Sequence, residues 1–112
     1  MKKIAILGST GSVGINTLKV IAKHPDKFKV TALSCNSNAE LLAKQANRFK
    51  TRLLAINDLS KIKTLKDGLS SSLGKVRILG GPQGLEELAK ISDAHIAVMA
   101  VSGSTSLVPL IR

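Results

Sequence analysis

Aromatic residues are almost absent from this sequence. Its 112 residues include no Trp, no Tyr and only two Phe, Phe28 and Phe49, so the core must be built from aliphatic side chains. Hydrophobic residues still make up 44% of the chain, which is typical of a globular protein and not of a disordered one. At this length we expect a single domain with a core of its own.

Cysteine and long apolar runs are equally scarce. The single cysteine, Cys35, excludes an internal disulfide and is typical of a reducing compartment. No apolar run approaches the length of a membrane span, and the first residues lead straight into Gly and Ser rather than into a signal-peptide core. We therefore expect a protein of the cytoplasm or of an organelle interior, with any targeting segment removed and no membrane partner.

Acidic residues are few. Seven Asp and Glu stand against 17 Lys and Arg, which gives a formal net charge of +10. A basic chain suggests nucleic-acid binding, but the lysines are scattered and there are almost no aromatic side chains to stack on bases. We expect a solvated basic surface that attracts anionic ligands, and no nucleic-acid site.

Short apolar runs alternate with amphipathic stretches along the chain. The predicted strands are Ile4–Leu7, Phe28–Leu33, Leu53–Ile56, Val76–Leu79 and Ile96–Val101. The predicted helices run from about Ser12 to His24, from the N-cap Asn38, from near Asp58 with apolar residues as far as Leu73, and after Pro82. This alternation predicts right-handed βαβ crossovers and an α/β fold: a doubly wound, Rossmann-like parallel sheet of about five strands.

The fifth predicted strand bears on where the fold ends. In the strand order 3-2-1-4-5 of such sheets, Ile96–Val101 would lie at the edge, yet it carries no charge or Pro to protect an edge. The following segment, Ser106–Arg112, is predicted to begin another helix. We therefore expect residues 1–112 to form one domain that is incomplete at its C-terminus and, by itself, marginally stable or prone to associate.

The sequence GSTGSVG, residues 8–14, stands where a phosphate-binding turn belongs, after the first strand and at the start of the first helix. In that setting Gly8 permits a tight turn, Gly11 leaves the backbone open to a pyrophosphate, and Gly14 lets the helix pack closely on the sheet. The backbone N–H groups of residues 10–13 would point at the phosphates, with the hydroxyls of Ser9, Thr10 and Ser12 as further donors. The alternative is a flexible turn that binds nothing.

The second diagnostic stretch is LSCNSN, residues 33–38, at the tip of the second strand. An acid at this tip would bind the ribose 2′-hydroxyl of NAD, and none is present. The small polar residues Asn36 and Ser37 leave room for a 2′-phosphate, so the sequence favours NADP over NAD. Asn38 either caps the second helix or both caps it and contacts the ribose.

The third stretch is AVSGSTS, residues 100–106, predicted as a loop after the fifth strand. Ala100 and Val101 would line the nicotinamide end of the groove, unless the loop is only a small-residue connection. His24 and His95 are interpreted as structural, and the sequence contains no recognisable metal set, nucleophile–base pair or other catalytic centre.

Three motifs together, ILGSTGSVG, HPDKFKVTAL followed by Asn38, and VMAVSGSTSLVPL, resemble in order and spacing the N-terminal region of the 1-deoxy-D-xylulose-5-phosphate reductoisomerase family. The resemblance implies an enzyme of non-mevalonate isoprenoid biosynthesis. Such an enzyme rearranges this sugar phosphate and reduces it with NADPH to 2-C-methyl-D-erythritol 4-phosphate, assisted by Mg or Mn. Family members are homodimers of the bacterial cytoplasm or the plastid and are several times longer. The chain would thus be their NADPH-binding part, inactive alone, with catalytic and metal residues beyond Arg112.

The resemblance also assigns site residues. Thr10, Gly11, Ser12 and Val13 match positions that contact the NADPH phosphates, and Asn38 matches an adenosine-ribose contact. Asn36 and Ser37 stand where the family often has Gly and a basic residue, and Ser106 stands where a glycine is usual. Two other interpretations are another NADP-dependent reductase and a non-catalytic nucleotide- or nucleic-acid-binding module.

Overall fold

A computed structural model describes residues 1–101 and 104–109 of the chain. The strands of this part are β1 (Lys2–Leu7), β2 (Phe28–Cys35), β3 (Leu53–Ile56), β4 (Arg77–Gly80), β5 (Ile96–Val101) and β6 (Ser104–Pro109). The α-helices are α1 (Ser12–Ala22), α2 (Ala39–Phe49), α3 (Ile62–Gly68) and α4 (Gly81–Ile91). Two single 3₁₀ turns, Leu59–Lys61 and Ser71–Leu73, flank α3.

The strands form one sheet in the order β4-β3-β2-β1-β5-β6. The pairs from β4 through β5 are parallel, and β6 runs antiparallel to β5. The predicted doubly wound α/β fold is therefore confirmed. The register between β1 and β2 shifts by one residue, because Ile4 lies opposite Val30 whereas Ala5 lies opposite Ala32, and Thr31 forms a bulge.

Helices cover the sheet on both sides, and strand alternation sorts the core into two clusters. Ile4 and Ile6 of β1 join the cluster that contains the apolar faces of α1, α2 and α3. The neighbouring Ala5 and Leu7 point the other way and pack in the cluster of α4, around the fully buried Leu88. Three of the strand residues on that second side are alanines, Ala5, Ala32 and Ala55, so α4 can approach the sheet closely.

The predicted strand order was wrong at two places. The fourth strand pairs with β3 rather than with β1, and the fifth lies between β1 and β6 rather than at an edge. Residues 106–109, predicted as the start of a helix, are part of β6, while residues 110–112 lie outside the described range. The apolar β5 is thus covered by a neighbour within the chain. After a strand, a crossover helix can lead the chain to a neighbour on either side, and its apolar stripe is the same in both cases. The sequence pattern therefore does not decide between the predicted and the observed strand order.

The third helix is shorter than predicted. It ends at Gly68, Leu69 is extended, and Leu73 lies in a 3₁₀ turn although its side chain is buried as the helical spacing required. The side chain of Asn47 on α2 explains the ending: its Nδ2 donates to the carbonyl of Gly68 and its Oδ1 accepts from the N–H of Ser70. A side chain from a neighbouring helix therefore replaces the next turn of α3.

The two histidines have structural contacts. His95 precedes β5, where its Nδ1 accepts a hydrogen bond from the N–H of Lys3 at 3.1 Å and its own N–H donates to the carbonyl of Lys3. The Lys3 ammonium also pairs with Asp93 at 2.7 Å. His24 meets the ring of Phe28 edge-on, with the centroids 6.4 Å apart. Among the described residues, no helix is long and apolar enough to cross a bilayer.

Candidate functional site

The glycine turn leaves β1 through a backbone conformation that suits glycine. Gly8 has φ +87°, in the left-handed region that other residues avoid, which confirms its predicted role in a tight turn. Gly14, in the first turn of α1, is buried against the turn itself: a Cβ there would lie 2.5 Å from the carbonyl oxygen of Gly8 and 2.5 Å from the Cα of Ser9. The close packing predicted for Gly14 is present, but its partner is the turn backbone.

The first turn of α1 presents backbone donors that have no partner within residues 1–101 and 104–109. Gly11 is the N-cap and has no side chain to accept from the helix, so the N–H groups of Ser12, Val13 and Gly14 lack the acceptor that a capping side chain would supply. Gly11, Ser12 and Val13 are exposed, and Thr10 is half-buried beside them. The helix dipole adds partial positive charge at this end. Such a terminus suits a phosphate.

Ser9 is not a ligand donor, contrary to the prediction for its hydroxyl. Its side chain is fully buried, and its Oγ lies 2.7 Å from Oε1 of Gln45 and 3.3 Å from the carbonyl of Ser34. The N–H groups of Gly8 and Ser9 both donate to that same carbonyl, at 3.0 and 2.8 Å. Ser9 therefore holds the turn against β2 and α2, and of the three predicted hydroxyl donors only Thr10 and Ser12 are accessible to solvent.

The tip of β2 carries three exposed polar residues in a row, Asn36, Ser37 and Asn38. Asn38 is the N-cap of α2, and its Oδ1 accepts from the N–H of Leu41 at 3.3 Å, so the predicted capping role is confirmed. Oδ1 of Asn36 accepts from Nδ2 of Asn57 at 2.9 Å. Residues 36–38 themselves include no carboxylate, and Glu40 lies in the first turn of α2, where it complements the helix dipole. Asp58 lies next to the tip, since its N–H donates to the carbonyl of Asn36, but its carboxylate accepts from the N–H and hydroxyl of Ser60.

Cys35 ends β2 just before these residues, and its side chain is buried. Desolvation raises the pKa of the thiol from 9.0 to about 11, against the opposite effect of a backbone hydrogen bond from Asn38. A thiol with so high a pKa is protonated at neutral pH and is a poor nucleophile or metal ligand.

The end of β5 lies beside the glycine turn. Leu7 pairs with Met99, and Ala100 and Val101 follow as the last residues of the strand. The predicted loop over residues 100–106 was therefore wrong for most of its length, because Ala100 pairs with Thr105 and Val101 with Ser104. Ser102 and Gly103 lie outside the described residues. The chain runs from β1 outward to β4 and then returns to β5, so β1 and β5 flank the switch point at which ligands bind in such sheets.

Apart from the glycine turn, the two other kinds of candidate site are a metal-binding cluster and a groove at the amino ends of the strands. Within residues 1–101 and 104–109, no three His, Cys, Asp or Glu side chains come together as metal ligands do. A groove of about 740 Å³ lies at the amino ends of β2 and β3, lined by residues such as Ile21, Phe28, Arg48 and Phe49. The groove therefore lies at the amino ends of the strands, whereas the glycine turn follows the carboxyl end of β1. It contains none of the predicted site residues.

Sequence reasoning missed two residues of this region. Gln45 holds Ser9, and Asn57, which follows β3, holds Asn36. The helical spacing of α2 could have identified Gln45, because it falls on the buried face with Leu42 and Ala46 and is the one polar residue among them. Asn57 gave no such indication, since only the strand pairing brings it next to Asn36.

The parallel sheet, wound on both faces with a glycine turn at its switch point, defines a Rossmann-like α/β domain of the nucleotide-binding type. The sequence profile of the 1-deoxy-D-xylulose 5-phosphate reductoisomerase family matches residues 4–112, and the chain belongs to that family. The resemblance noted in the sequence is thereby confirmed.

Individual relatives agree with the family assignment. The chain is 44% identical over 111 residues to the reductoisomerase of Crocosphaera subtropica, covering 99% of this chain and 28% of that protein. It is 42% identical to the chloroplastic enzyme of Oryza sativa, covering 98% of this chain and 23% of the relative. The chain thus spans about a quarter of the length of these relatives.

Solved structures match the fold as well. The Zymomonas mobilis reductoisomerase in complex with NADPH superposes with a TM-score of 0.76 at 31% identity, over 86% of this chain and 24% of that one. A reductoisomerase in complex with NADPH, fosmidomycin and magnesium gives a TM-score of 0.80 at 29% identity, over 90% and 24%.

Proposed function

We propose that this chain is the NADPH-binding part of a reductoisomerase that converts 1-deoxy-D-xylulose 5-phosphate to 2-C-methyl-D-erythritol 4-phosphate. The observation that carries the proposal is the uncapped N-terminus of α1 at the switch point of the sheet. The reaction is inferred from the family to which the chain belongs, and the cofactor from a relative whose structure contains NADPH. In this role the chain contributes a cofactor site to a longer enzyme.

The pyrophosphate would rest on the glycine turn. N–H groups of Thr10, Ser12 and Val13 would donate to its oxygens, whereas the predicted N–H of Gly11 is used within the turn, where it donates to the carbonyl oxygen of Gly8 at 3.2 Å. The exposed Gly11 has no side chain and lets the phosphates approach the backbone. Thr10 and Ser12 add hydroxyl donors. Gly8 and Gly14 would act indirectly, by giving the turn its shape.

The adenosine end would lie over the tip of β2, with Asn38 at the ribose and Asn36 and Ser37 beside the 2′-phosphate. The absence of a carboxylate among these three residues supports NADPH over NADH, because a carboxylate would repel the 2′-phosphate. No basic residue stands at these positions, so the preference would come from tolerance and hydrogen bonding rather than from an ion pair. The nicotinamide end would lie by Ala100 and Val101, near the end of β5.

The remaining chemistry is assigned outside these residues. NADPH supplies a hydride when bound, while Mg or Mn would assist the rearrangement of the sugar phosphate. A magnesium complex is known for a related reductoisomerase, but the described residues contain no ligand set for a metal, and we derive no step through it. We further propose that the enzyme acts in the bacterial cytoplasm or in a plastid, since its relatives include bacterial and chloroplastic proteins. The family resemblance also implies a homodimer.

The test is a titration of the intact protein with NADPH and with NADH, followed by the fluorescence of the bound nicotinamide. We expect NADPH to bind at least about tenfold more tightly, a difference of about 1.4 kcal/mol. Equal affinity, or a preference for NADH, would contradict the cofactor assignment. Retention on DNA at low salt without NADPH binding would instead support the nucleic-acid-binding alternative.

A further inference from the structure

A buried polar cluster lies directly beneath the glycine turn. It consists of Ser9 from the turn, Ser34 from β2 and Gln45 from α2, and all three side chains are almost inaccessible to solvent. Buried polar groups are costly unless each finds a partner. A cluster at this place therefore needs a reason beyond filling space, since aliphatic side chains fill the rest of the core.

Gln45 contacts Ser9 through both ends of its amide. Its Nε2 donates to the carbonyl oxygen of Ser9 at 2.8 Å, and its Oε1 accepts from Oγ of Ser9 at 2.7 Å. Ser34 completes the arrangement from the other side, where its Oγ and carbonyl accept from the N–H of Gly8. Among the described residues, no buried side-chain nitrogen or oxygen lacks a partner. The turn is thus fixed at Ser9, one residue before the segment that would bind phosphate.

The helix that carries Gln45, α2, also begins at the ribose end of the proposed site. Asn38, the N-cap of α2, lies seven residues before Gln45, which is two helical turns, about 10 Å, along the same face. One rigid helix therefore joins the tip of β2 to the underside of the glycine turn. The distance between the phosphate-binding and ribose-binding positions is then set by α2.

We propose that Gln45 is a positioning residue for the cofactor: it orients the backbone N–H groups of Thr10, Ser12 and Val13 toward the pyrophosphate without contacting it. This inference rests on the proposed function. The side chain needs one end that donates and one that accepts, and an amide supplies both at every pH. Methionine has a similar length but has no donor and only a weak acceptor, and an ionised glutamate lacks the donor.

The experiment compares Gln45→Met with Thr51→Val in the intact protein. Thr51 is a matched control because it is also buried, and its hydroxyl donates to the backbone carbonyl of Val30 at 3.0 Å. It lies just after the C-terminal end of α2, far from the glycine turn. We expect both variants to lower the melting temperature. Only Gln45→Met should weaken NADPH binding, by about tenfold or more at a temperature where both are folded, because small misplacements of a binding group are costly.

A second variant, Gln45→Glu, keeps the test informative if Gln45→Met does not fold. It also adds a readout that depends on pH. A buried carboxyl has a raised pKa, and its protonated form can both donate to the carbonyl of Ser9 and accept from its hydroxyl. NADPH affinity relative to the unmodified protein should therefore improve as the pH falls from 8 to 5.5. A purely structural role for Gln45 predicts no such recovery.

The outcomes separate the two proposals. If the unmodified protein does not bind NADPH, the proposed function fails. If it binds NADPH and folded Gln45→Met binds within twofold of it, the positioning role is wrong. The role is also wrong if Thr51→Val weakens binding as much as Gln45→Met, or if the affinity of Gln45→Glu relative to the unmodified protein does not change with pH.

Discussion

Gly14 lies so close to Gly8 that a methyl group at Gly14 would come within 2.5 Å of the carbonyl oxygen of Gly8. The first helix therefore packs on the turn that precedes it, through backbone atoms that cannot move aside as a flexible side chain could. We expect Gly14→Ala to lower the free energy of unfolding by about 2 kcal/mol or more, as overpacking does, and to weaken NADPH binding. Urea denaturation measures the first effect and a fluorescence titration the second.

Asn16 provides the control for Gly14. It is exposed on the same helix, where alanine is a better helix former, so Asn16→Ala should leave stability unchanged or slightly raise it. A Gly14→Ala variant as stable as Asn16→Ala would show that the turn can shift to admit the methyl group.

Asn38 combines a cap that is visible in the structure with a proposed ribose contact. Asn38→Ala should cost about 1 kcal/mol of stability, because the N–H of Leu41 loses its acceptor. Asn38→Ser should restore the cap, since serine is as good an N-cap residue, but its shorter side chain should not reach the ribose. We expect Asn38→Ser to match the unmodified protein in urea denaturation and to bind NADPH about fivefold more weakly, the loss of one hydrogen bond. Full affinity in Asn38→Ser would mean that Asn38 is a cap only.

The missing carboxylate at the tip of β2 can be supplied by mutation. Ser37→Asp would place a negative charge where the 2′-phosphate is proposed to lie, so NADPH affinity should fall by about tenfold while NADH affinity stays the same or rises. Ser71→Asp is the matched control, because Ser71 is also an exposed serine and lies in the 3₁₀ turn before β4, away from the tip of β2. Equal effects of the two substitutions would indicate a general charge effect and not a contact at Ser37.

Cys35 should make stability fall at alkaline pH. Burial raises the pKa of its thiol to about 11, against 9.0 for an ordinary thiol, so between these values the unfolded chain ionises and the folded chain does not. Ionisation of the unfolded state alone lowers the free energy of unfolding as the pH rises from 9 to 11, by up to about 2 kcal/mol. The slope declines through pH 9 and becomes negligible below about pH 8, where the thiol is protonated in both states. Urea denaturation across this range should give a steeper decline for the unmodified protein than for Cys35→Ala, which differs from it only in lacking the thiol. Parallel declines would show that Cys35 ionises equally in both states.

The sequence pattern predicted most of the fold because strands and helices bury their apolar faces locally. The run IAIL and the stop at Pro25 are local features, and they gave β1 and the end of α1 within a few residues. The order of the outer strands was not predictable in this way. It depends on which neighbour each strand meets after a crossover, and nothing within Arg77–Gly80 distinguishes β3 from β1 as its partner.

The candidate site likewise has features that local sequence predicts and features that depend on distant residues. The glycines of the turn and the cap at Asn38 act through their own backbone and were predicted from local sequence. Ser9 was misjudged because its burial depends on Gln45, 36 residues away, whose side chain reaches it only after the sheet has formed. Thr105 was placed in a loop because small residues resemble a connection, whereas pairing with Ala100 makes it part of β6.

The glycine turn combines backbone amides of two kinds within seven residues. Those of Gly8 and Ser9 donate to the carbonyl of Ser34, whereas those of Ser12 and Val13 are exposed and have no acceptor among the described residues. In deuterated water the first pair should exchange slowly and the second pair quickly. Binding of a dinucleotide should slow only the second pair, so this short peptide would carry both an internal reference and a reporter of occupancy, readable amide by amide without any label.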